Sequence, residues 1–420
     1  MAPDRIRQHF GTAPRILVMI LAGGEGRRLA PLTEERAKPA VPFGGRYRII
    51  DIVLSNFVNS GLNRINVITQ YKSHSLEVHI SRAWRMSSIM DQFVETIPAQ
   101  QRVGKDWFKG SADAVFQCLN VVTDEEPDFV CVFGGDHVYQ LDVRQMLDYH
   151  FLRGAELTVA LIPVPLKDAS AFGVVQVDAD WRIVGFQEKP ENPEPMPGRP
   201  DHALVSMGNY IFNTPTLVEE VTADAALTES SHDFGKNVLP AMVGRRRMYG
   251  YDFSTNVVPG STAHGRGYWR DIGTLDAYWE AHMDLVSAEP LFDFYNLHWP
   301  IRTGRRHLPP AKFVHSDEQG ERVGTAIDSL VAEGCIVSGG RISRSVLSPL
   351  VRVNSWARVE DSILLDGVDV GRGAQLRRVV VDKNVRIPPG LRIGFDLEAD
   401  RQRFLVSDGG IVAIRRDTKL

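Results

Sequence analysis

The stretch ILVMILAGGEGRR (16–28) runs a short apolar segment straight into three glycines and two arginines. Its length and lack of polar residues suit a strand buried on both faces better than a helix. Gly23, Gly24 and Gly26 let backbone N–H groups close on a polyphosphate, and Arg27 and Arg28 supply countercharge. A dinucleotide-binding turn would need a further glycine where Leu29 stands, and would have no use for the arginines. Working outward, INVITQY (65–71), FVCVFGGD (129–136) and ELTVALIPV (156–164) have the same strand character. Amphipathic segments such as SADAVFQCLNVVTDE (111–125) and VRQMLDYHFLRG (143–154) lie between several of them. The alternation predicts an α/β domain with an open, mixed and mostly parallel sheet. Ligands of such sheets bind at the carboxyl ends of the strands, which marks AGGEGRR, TQYKSH and GGDHVY.

The tail is different in kind. Aliphatic residues recur there every 17 positions in three columns: Ile336, Val353, Val370, Ile387; then Ile342, Val359, Leu376, Ile393; then Leu347, Leu364, Val381. Three columns in phase predict a parallel β-helix with triangular coils, of the left-handed hexapeptide type, with four coils visible. Such a stack buries its corners coil on coil and carries no chemistry by itself. The segment 289–313, rich in proline and aromatics, reads as an ordered connector packed on both halves. The expected division is a first domain over 1–287, a connector over 288–325 and the β-helix over 326–420.

Across 420 residues the balance of 43% hydrophobic and 24% charged is that of a globular protein. A net charge of -4 offers no global field for nucleic acid, so anionic ligands must be met by local cations. Cys118, Cys131 and Cys335 are far apart and form neither a disulfide framework nor a metal motif. The basic N-terminus precedes an apolar run too short for a membrane span and too rich in Gly and Arg for a signal peptide. A cytoplasmic location is expected, with neither membrane nor nucleic acid as partner. Arg245–Arg247 read as a solvated charge run rather than a phosphate site.

LAGGEGRRLAPLTEERAKP (21–39) joins the glycine turn to Lys38 before a proline, and resembles the N-terminal motif of nucleotidyltransferases acting on sugar phosphates. KPAVPFGGRYRIIDIVLSNFVNSG (38–61) is similar to the glucose-1-phosphate adenylyltransferase family in particular. The likeness continues through ITQYKSHSLEVHI (68–80), DWFKGSADAV (106–115), FGGDHVY (133–139), FQEKP (186–190), SSHDFGK (230–236) and YWRDIGTLDAYW (268–279). It runs on into the β-helix and covers nearly the whole chain. The resemblance implies a Rossmann-like domain that makes ADP-glucose and pyrophosphate from ATP and α-D-glucose 1-phosphate, the committed step of bacterial glycogen synthesis. Nucleophile and electrophile are both anions in that reaction, so the protein must neutralise charge and align atoms in line.

On this reading Arg28 and Lys38 suit the phosphates that leave as pyrophosphate. Asp136 closes a strand at the sheet's carboxyl edge, and Asp271 in WRDIGT is the natural second ligand for Mg2+. The family match assigns Lys189 to the phosphate of glucose 1-phosphate, and Glu188, Gly173 and Ser206 to the sugar pocket. Gln70 and the backbone around Lys109 and Gly110 are expected to read adenine. Phe108, expected at the sugar phosphate, stands where many relatives have Tyr, so an aromatic face remains and a hydroxyl is lost.

The resemblance also implies a homotetramer with a phosphorylated-metabolite effector held by Arg36, Arg48, Lys383 and Arg416. Relatives activated by fructose 1,6-bisphosphate carry Lys where Glu35 stands and Arg where Asp124 stands. Both swaps disfavour a bisphosphate, so a monophosphate is the better candidate. Three rival readings are weaker or less specific. An acyltransferase would want a basic His, and residues 331–420 contain none. A non-catalytic regulatory paralogue would have lost some of Arg28, Lys38, Asp136, Lys189 and Asp271, all of which stand. A pyrophosphorylase for another base or an amino-sugar phosphate differs by as little as one hydrogen bond.

Overall fold

The structure is a computed structural model that describes residues 14–100, 106–314 and 322–420. The stretch before residue 14, part of PAQQR (98–102) and part of the expected connector lie outside those residues. The chain begins β1 (Ile16–Leu21), α1 (Ile49–Asn59), β2 (Arg64–Thr69), α2 (His74–Ala83), β3 (Phe93–Pro98), α3 (Ser111–Gln117), α4 (Leu119–Glu125) and β4 (Phe129–Gly134). There follow β5 (His137–Tyr139), α5 (Val143–Leu152), β6 (Leu157–Pro165), β7 (Gly173–Val177), β8 (Ile183–Glu188) and β9 (His202–Asn213). Then come α6 (Thr214–Ala225), β10 (Met248–Asp252), β11 (Trp269–Asp271) and α7 (Leu275–Leu285). The amphipathic segment 111–125 forms two helices, broken at Cys118.

The main sheet runs β8–β7–β9–β4–β1–β2–β3, with β6 beside β9 and β10 beside β6. β1 pairs in parallel with β2 and β4, whereas β9 runs antiparallel to β4 and makes the sheet mixed. Each face of β1 is covered: Val18 and Ile20 join one core, Leu17 and Met19 the other. That two-sided burial is why the segment reads as an unbroken apolar run. The register sets Leu21 opposite both Gly134 and Ile68, so three strand ends open at one edge.

Three parallel sheets stack the tail into a triangular β-helix. Two of the expected columns appear in register, Ile342↔Val359↔Leu376↔Ile393 and Leu347↔Leu364↔Val381. The first column needs correction. Val337, fully buried, faces Val353, while Ile336 faces Arg352, so the first coil is one residue short of the period. The stack also starts earlier than expected, because Lys312–Val314 and Thr325–Ile327 already form rungs on the coils that follow. One face of the helix packs on the first domain. Ile363, Leu365, Val380, Ile411 and Ala413 close over Leu29, Phe43, Leu275 and Tyr278 in a shared core. The connector touches both halves: Arg302 N–H donates to Ser55 Oγ at 2.8 Å, and Arg306 pairs with Asp366 at 2.5 Å.

Candidate active site

The glycine turn leaves β1 under tight constraints. Gly26 has φ 65, and a Cβ there would lie 3.0 Å from Cβ of Lys38. Thr33 Oγ1 fixes the turn by donating to the Gly26 carbonyl at 2.9 Å. Nothing stands within 4 Å of a Cβ built on Gly24, so that glycine keeps space open rather than relieving a clash. Gly135 is required for the opposite reason, because its Cβ would press on Ile20 and Ile50 at 3.0 and 3.1 Å. That close approach brings Asp136 beside the turn. Asp271 arrives from β11, whose pairing with β5 sets it opposite His137.

Lys38 links these parts. Its buried Nζ donates to Asp136 Oδ2 at 2.8 Å and to Asp271 Oδ1 at 2.6 Å. Burial alone would lower the ammonium's pKa, but the two carboxylates outweigh it and hold the value above normal. Burial would likewise raise Asp136, yet Lys38 and His137 keep its carboxyl well below the usual range. Ligand atoms of Asp136, His137 and Asp271 lie within 4.8 Å of one another, a group able to hold a divalent metal. The Lys38 ammonium between the carboxylates marks the spot as one built for positive charge. Oxygen-preferring Mg2+ suits this pair of carboxylates with His137 beside it.

A cavity of about 350 Å3 opens here, lined by Gly24, Gly26, Arg27, Arg28, Lys38, Asp136, His137, Asp271 and Gly273. A second, of about 330 Å3, shares Leu21 and Gly24 with it and adds Gly23, Gln70, Phe108, Lys109 and Gly110. Phe108 therefore lies with Gln70 and Gly110, and not with the residues expected at the sugar. Its backbone N–H donates to Gln70 Oε1 at 2.9 Å, and Gln70 Nε2 returns a bond of 3.4 Å to its carbonyl.

The expected sugar residues form their own group on β7, β8 and β9. A Cβ on Gly173 would come within 2.9 Å of Glu188 Oε2, and Lys189 Nζ pairs with Glu188 at 3.2 Å. Ser206 Oγ accepts from Gly208 N–H at 3.2 Å. This group adjoins the carboxylates through a chain of rings: Phe172 against Trp269 at 5.3 Å, and Trp269 against His137 at 5.2 Å. Sequence reasoning passed over His137, Trp269 and Asp233. His137 was in plain view beside Asp136; Asp233 is legible only once Ser111 Oγ is seen to donate to it at 2.9 Å.

The four cations expected to meet an effector do not gather. Arg48 and Lys383 line a cavity of about 270 Å3 with Arg46, Arg82, Arg305 and Arg306. Arg36 does not, because both its terminal nitrogens bind Asp382 at 3.0 Å in a buried pair between the domains. Arg416 pairs with Asp417 at 3.2 Å, outside that cavity. Nor is Arg246 solvated. It reaches Glu156, Glu219 and Glu220 at 2.7–3.2 Å, so the 245–247 run is largely a structural ion-pair cluster.

A glycine turn and a paired carboxylate site at the edge of a mixed sheet, with a β-helix behind, define a nucleotidyl transferase. Residues 17–288 match the family model described as nucleotidyl transferase, and 309–414 match one described as GlmU-like, C-terminal hexapeptide. A glucose-1-phosphate adenylyltransferase of Anaeromyxobacter sp. (strain Fw109-5) is 58% identical over 95% of this chain and 98% of its own. Proteins of the same name from Frankia casuarinae and Aliivibrio fischeri are 54% and 50% identical, each over 96% of this chain and 98% and 99% of their own. The chain belongs to the nucleotidyl transferase family, in its glucose-1-phosphate adenylyltransferase branch. No helix among the described residues is long and apolar enough to cross a membrane.

Proposed function

We propose that the protein transfers the adenylyl group of ATP to glucose 1-phosphate, releasing pyrophosphate and supplying ADP-glucose for glycogen synthesis. The observation that carries this reading is Lys38 set between Asp136 and Asp271 at the mouth of the glycine turn. The phosphate oxygen of the sugar attacks the α-phosphorus, and the bond to the β-phosphate oxygen breaks. Gly23, Gly24 and Gly26 leave room for the polyphosphate, while Arg28 and Lys38 balance the charge on the departing pyrophosphate. Asp136 and Asp271 would hold Mg2+, which when bound neutralises phosphate charge. The pocket of Gln70, Phe108 and Gly110 takes the adenine. Pyrophosphate release from a panel of nucleotides and sugar phosphates tests the reading. Turnover with another nucleotide or sugar phosphate, and none with ATP and glucose 1-phosphate, would refute it.

Lys189 is 59% exposed at its side chain and free to turn from Glu188 toward an incoming phosphate. Replacing it by Ala removes a charge-assisted contact worth about 1.5–3 kcal/mol. The KM for glucose 1-phosphate is expected to rise about 10- to 100-fold, with the KM for ATP little changed. Equal shifts in both values would argue against this role.

The assembly we infer is a cytoplasmic homotetramer, regulated at the cationic cavity between α2, the connector and the β-helix. Burial drives Arg48 down to about 10 despite Asp51, and lowers Lys383 despite Asp366, so both gain from an added anion. Glu333 and Asp366 already engage Arg46, Arg306 and Lys383. Arg48, Arg82 and Arg305 line the cavity without an ion pair among the described residues and are available to a phosphate. Glu35, which stands where relatives activated by fructose 1,6-bisphosphate carry Lys, pairs with Arg415 at 3.3 Å and does not line this cavity, so it offers a bisphosphate no additional cation. Glucose 6-phosphate or fructose 6-phosphate is expected to activate several-fold at subsaturating glucose 1-phosphate, roughly the scale of ordinary coupling energies. Fructose 1,6-bisphosphate should do so weakly, and Arg48→Ala should abolish the response. Strong activation by the bisphosphate that survives Arg48→Ala would place the site elsewhere.

A further inference from the structure

Loop 230–234 is packed between Gly110 of the nucleotide cavity and Glu188 of the sugar group. A Cβ on Gly110 would come within 2.3 Å of the His232 carbonyl oxygen and 2.4 Å of that of Ser231. A Cβ on Gly235, just past the loop, would stand 2.5 Å from Glu188 Oε2. The contacts are bonded as well as close. Ala112 and Asp113 N–H groups donate to the His232 carbonyl at 2.9 and 3.2 Å. Ser111 Oγ donates to Asp233 at 2.9 Å and accepts from the Phe234 N–H at 2.9 Å. One short segment thus forms a wall behind both Gly110, which lines the nucleotide cavity, and Glu188 of the sugar group, and it leads directly into a π-helical turn over Phe234–Val238.

The wall is held in a conformation it would not adopt alone. His232 has φ 53, a left-handed value that a bulky residue keeps only when its surroundings impose it. The constraint comes from Asp224 on α6, buried like His232. Asp224 Oδ2 lies 2.9 Å from His232 Nδ1, and its Oδ1 accepts from the Ser230 hydroxyl at 2.7 Å. The same hydroxyl oxygen accepts the His232 N–H at 2.9 Å, closing a ring of bonds around the strained residue. Asp224 itself lines neither pocket.

We propose that Asp224 is a positioning residue that fixes this shared wall through His232 in advance of both substrates, so that neither has to order it on binding. The proposal rests on the pocket assignment above. A wall pinned from behind is set before either substrate arrives, so neither binding has to order it. Loosening the pin makes whichever substrate binds first order the wall, and the second then meets a wall already set, which is positive coupling. Both bindings weaken, and the phosphate chemistry stays in place.

The test is steady-state kinetics of full-length Asp224→Ala, Asp224→Asn and Ser230→Ala beside the wild type. It is paired with binding of a non-reacting ATP analogue with and without glucose 1-phosphate. Asp224→Ala is expected to raise both KM values about 5- to 20-fold, with kcat within about threefold and the positive coupling between the ligands larger than in the wild type. Asp224→Asn, which keeps an acceptor for Ser230, should recover most of the loss. Ser230→Ala removes one bond of the ring and should raise both KM values about two- to fivefold. A purely structural role would lower the active fraction, cutting kcat at unchanged KM, and would overturn the proposal. A rise in one KM alone would overturn it too. Unmoved KM values in Ser230→Ala count against it even where Asp224→Ala fails to fold. A wild type inactive on ATP and glucose 1-phosphate would instead refute the pocket assignment.

Discussion

Asp136→Asn is expected to fold normally while turning over roughly 10²–10⁴ more slowly, the scale on which one preorganised electrostatic contact acts. The reason lies in the charge count around Lys38. One ammonium faces two carboxylates, at 2.8 and 2.6 Å, and the set carries a net charge of -1. The amide replacement would leave the Lys38–Asp271 pair neutral and intact, so no charge is stranded in the protein and stability should change by no more than about 1 kcal/mol. The site would still hold Lys38 but lose half the carboxylate charge available to a divalent metal. Circular dichroism and a thermal melt establish the fold; pyrophosphate release at saturating ATP and glucose 1-phosphate gives the rate. A folded Asp136→Asn protein with full turnover would remove Asp136 from the reaction.

The same residues show where sequence reading works and where it stops. The glycine turn, Asp136 and Lys38 were legible because strand, turn and charge lie within short windows, and a strand's end dictates where its loop goes. The β-helix was legible because each coil repeats the last. The error at Ile336 came from a coil one residue short: Ile336 keeps the 17-residue spacing to Val353, whereas the buried Val337 that faces Val353 does not. Phe108, expected at the sugar phosphate, lines the cavity of Gln70 and Gly110, and only tertiary packing tells which of two neighbouring pockets an aromatic ring lines. The ion pairs of Arg246 and Arg36 were not legible for a common reason. An arginine's meaning depends on the carboxylate it meets, and Glu156 and Asp382 lie 90 and 346 residues away. Asp224 has no motif at all, and its importance emerges only from the strain it holds in His232.

Arg36→Ala is expected to cost about 3–5 kcal/mol, the usual penalty for removing one partner of a buried ion pair. Side chains of Arg36 and Asp382 are only 5% and 2% exposed, so water cannot replace the lost guanidinium. The Lys383 N–H, 2.8 Å from Asp382 Oδ1, would remain as a partner, but it carries no compensating charge. A double replacement, Arg36→Met with Asp382→Leu, removes both charges and should recover most of the loss, because an apolar pair suffers no desolvation. Trp279 on α7 donates its indole N–H to the Asp361 carbonyl of the β-helix at 2.7 Å, a further bond across the junction that undocking breaks. A urea titration followed by circular dichroism should move to a lower midpoint in Arg36→Ala and back toward the wild type in the double variant. Because Arg36 stands two residues before Lys38, the single variant should also lose activity before it unfolds globally. An Arg36→Ala midpoint equal to that of the wild type would mean that the apolar face of Ile363, Leu365 and Val380 holds the β-helix in place without the ion pair.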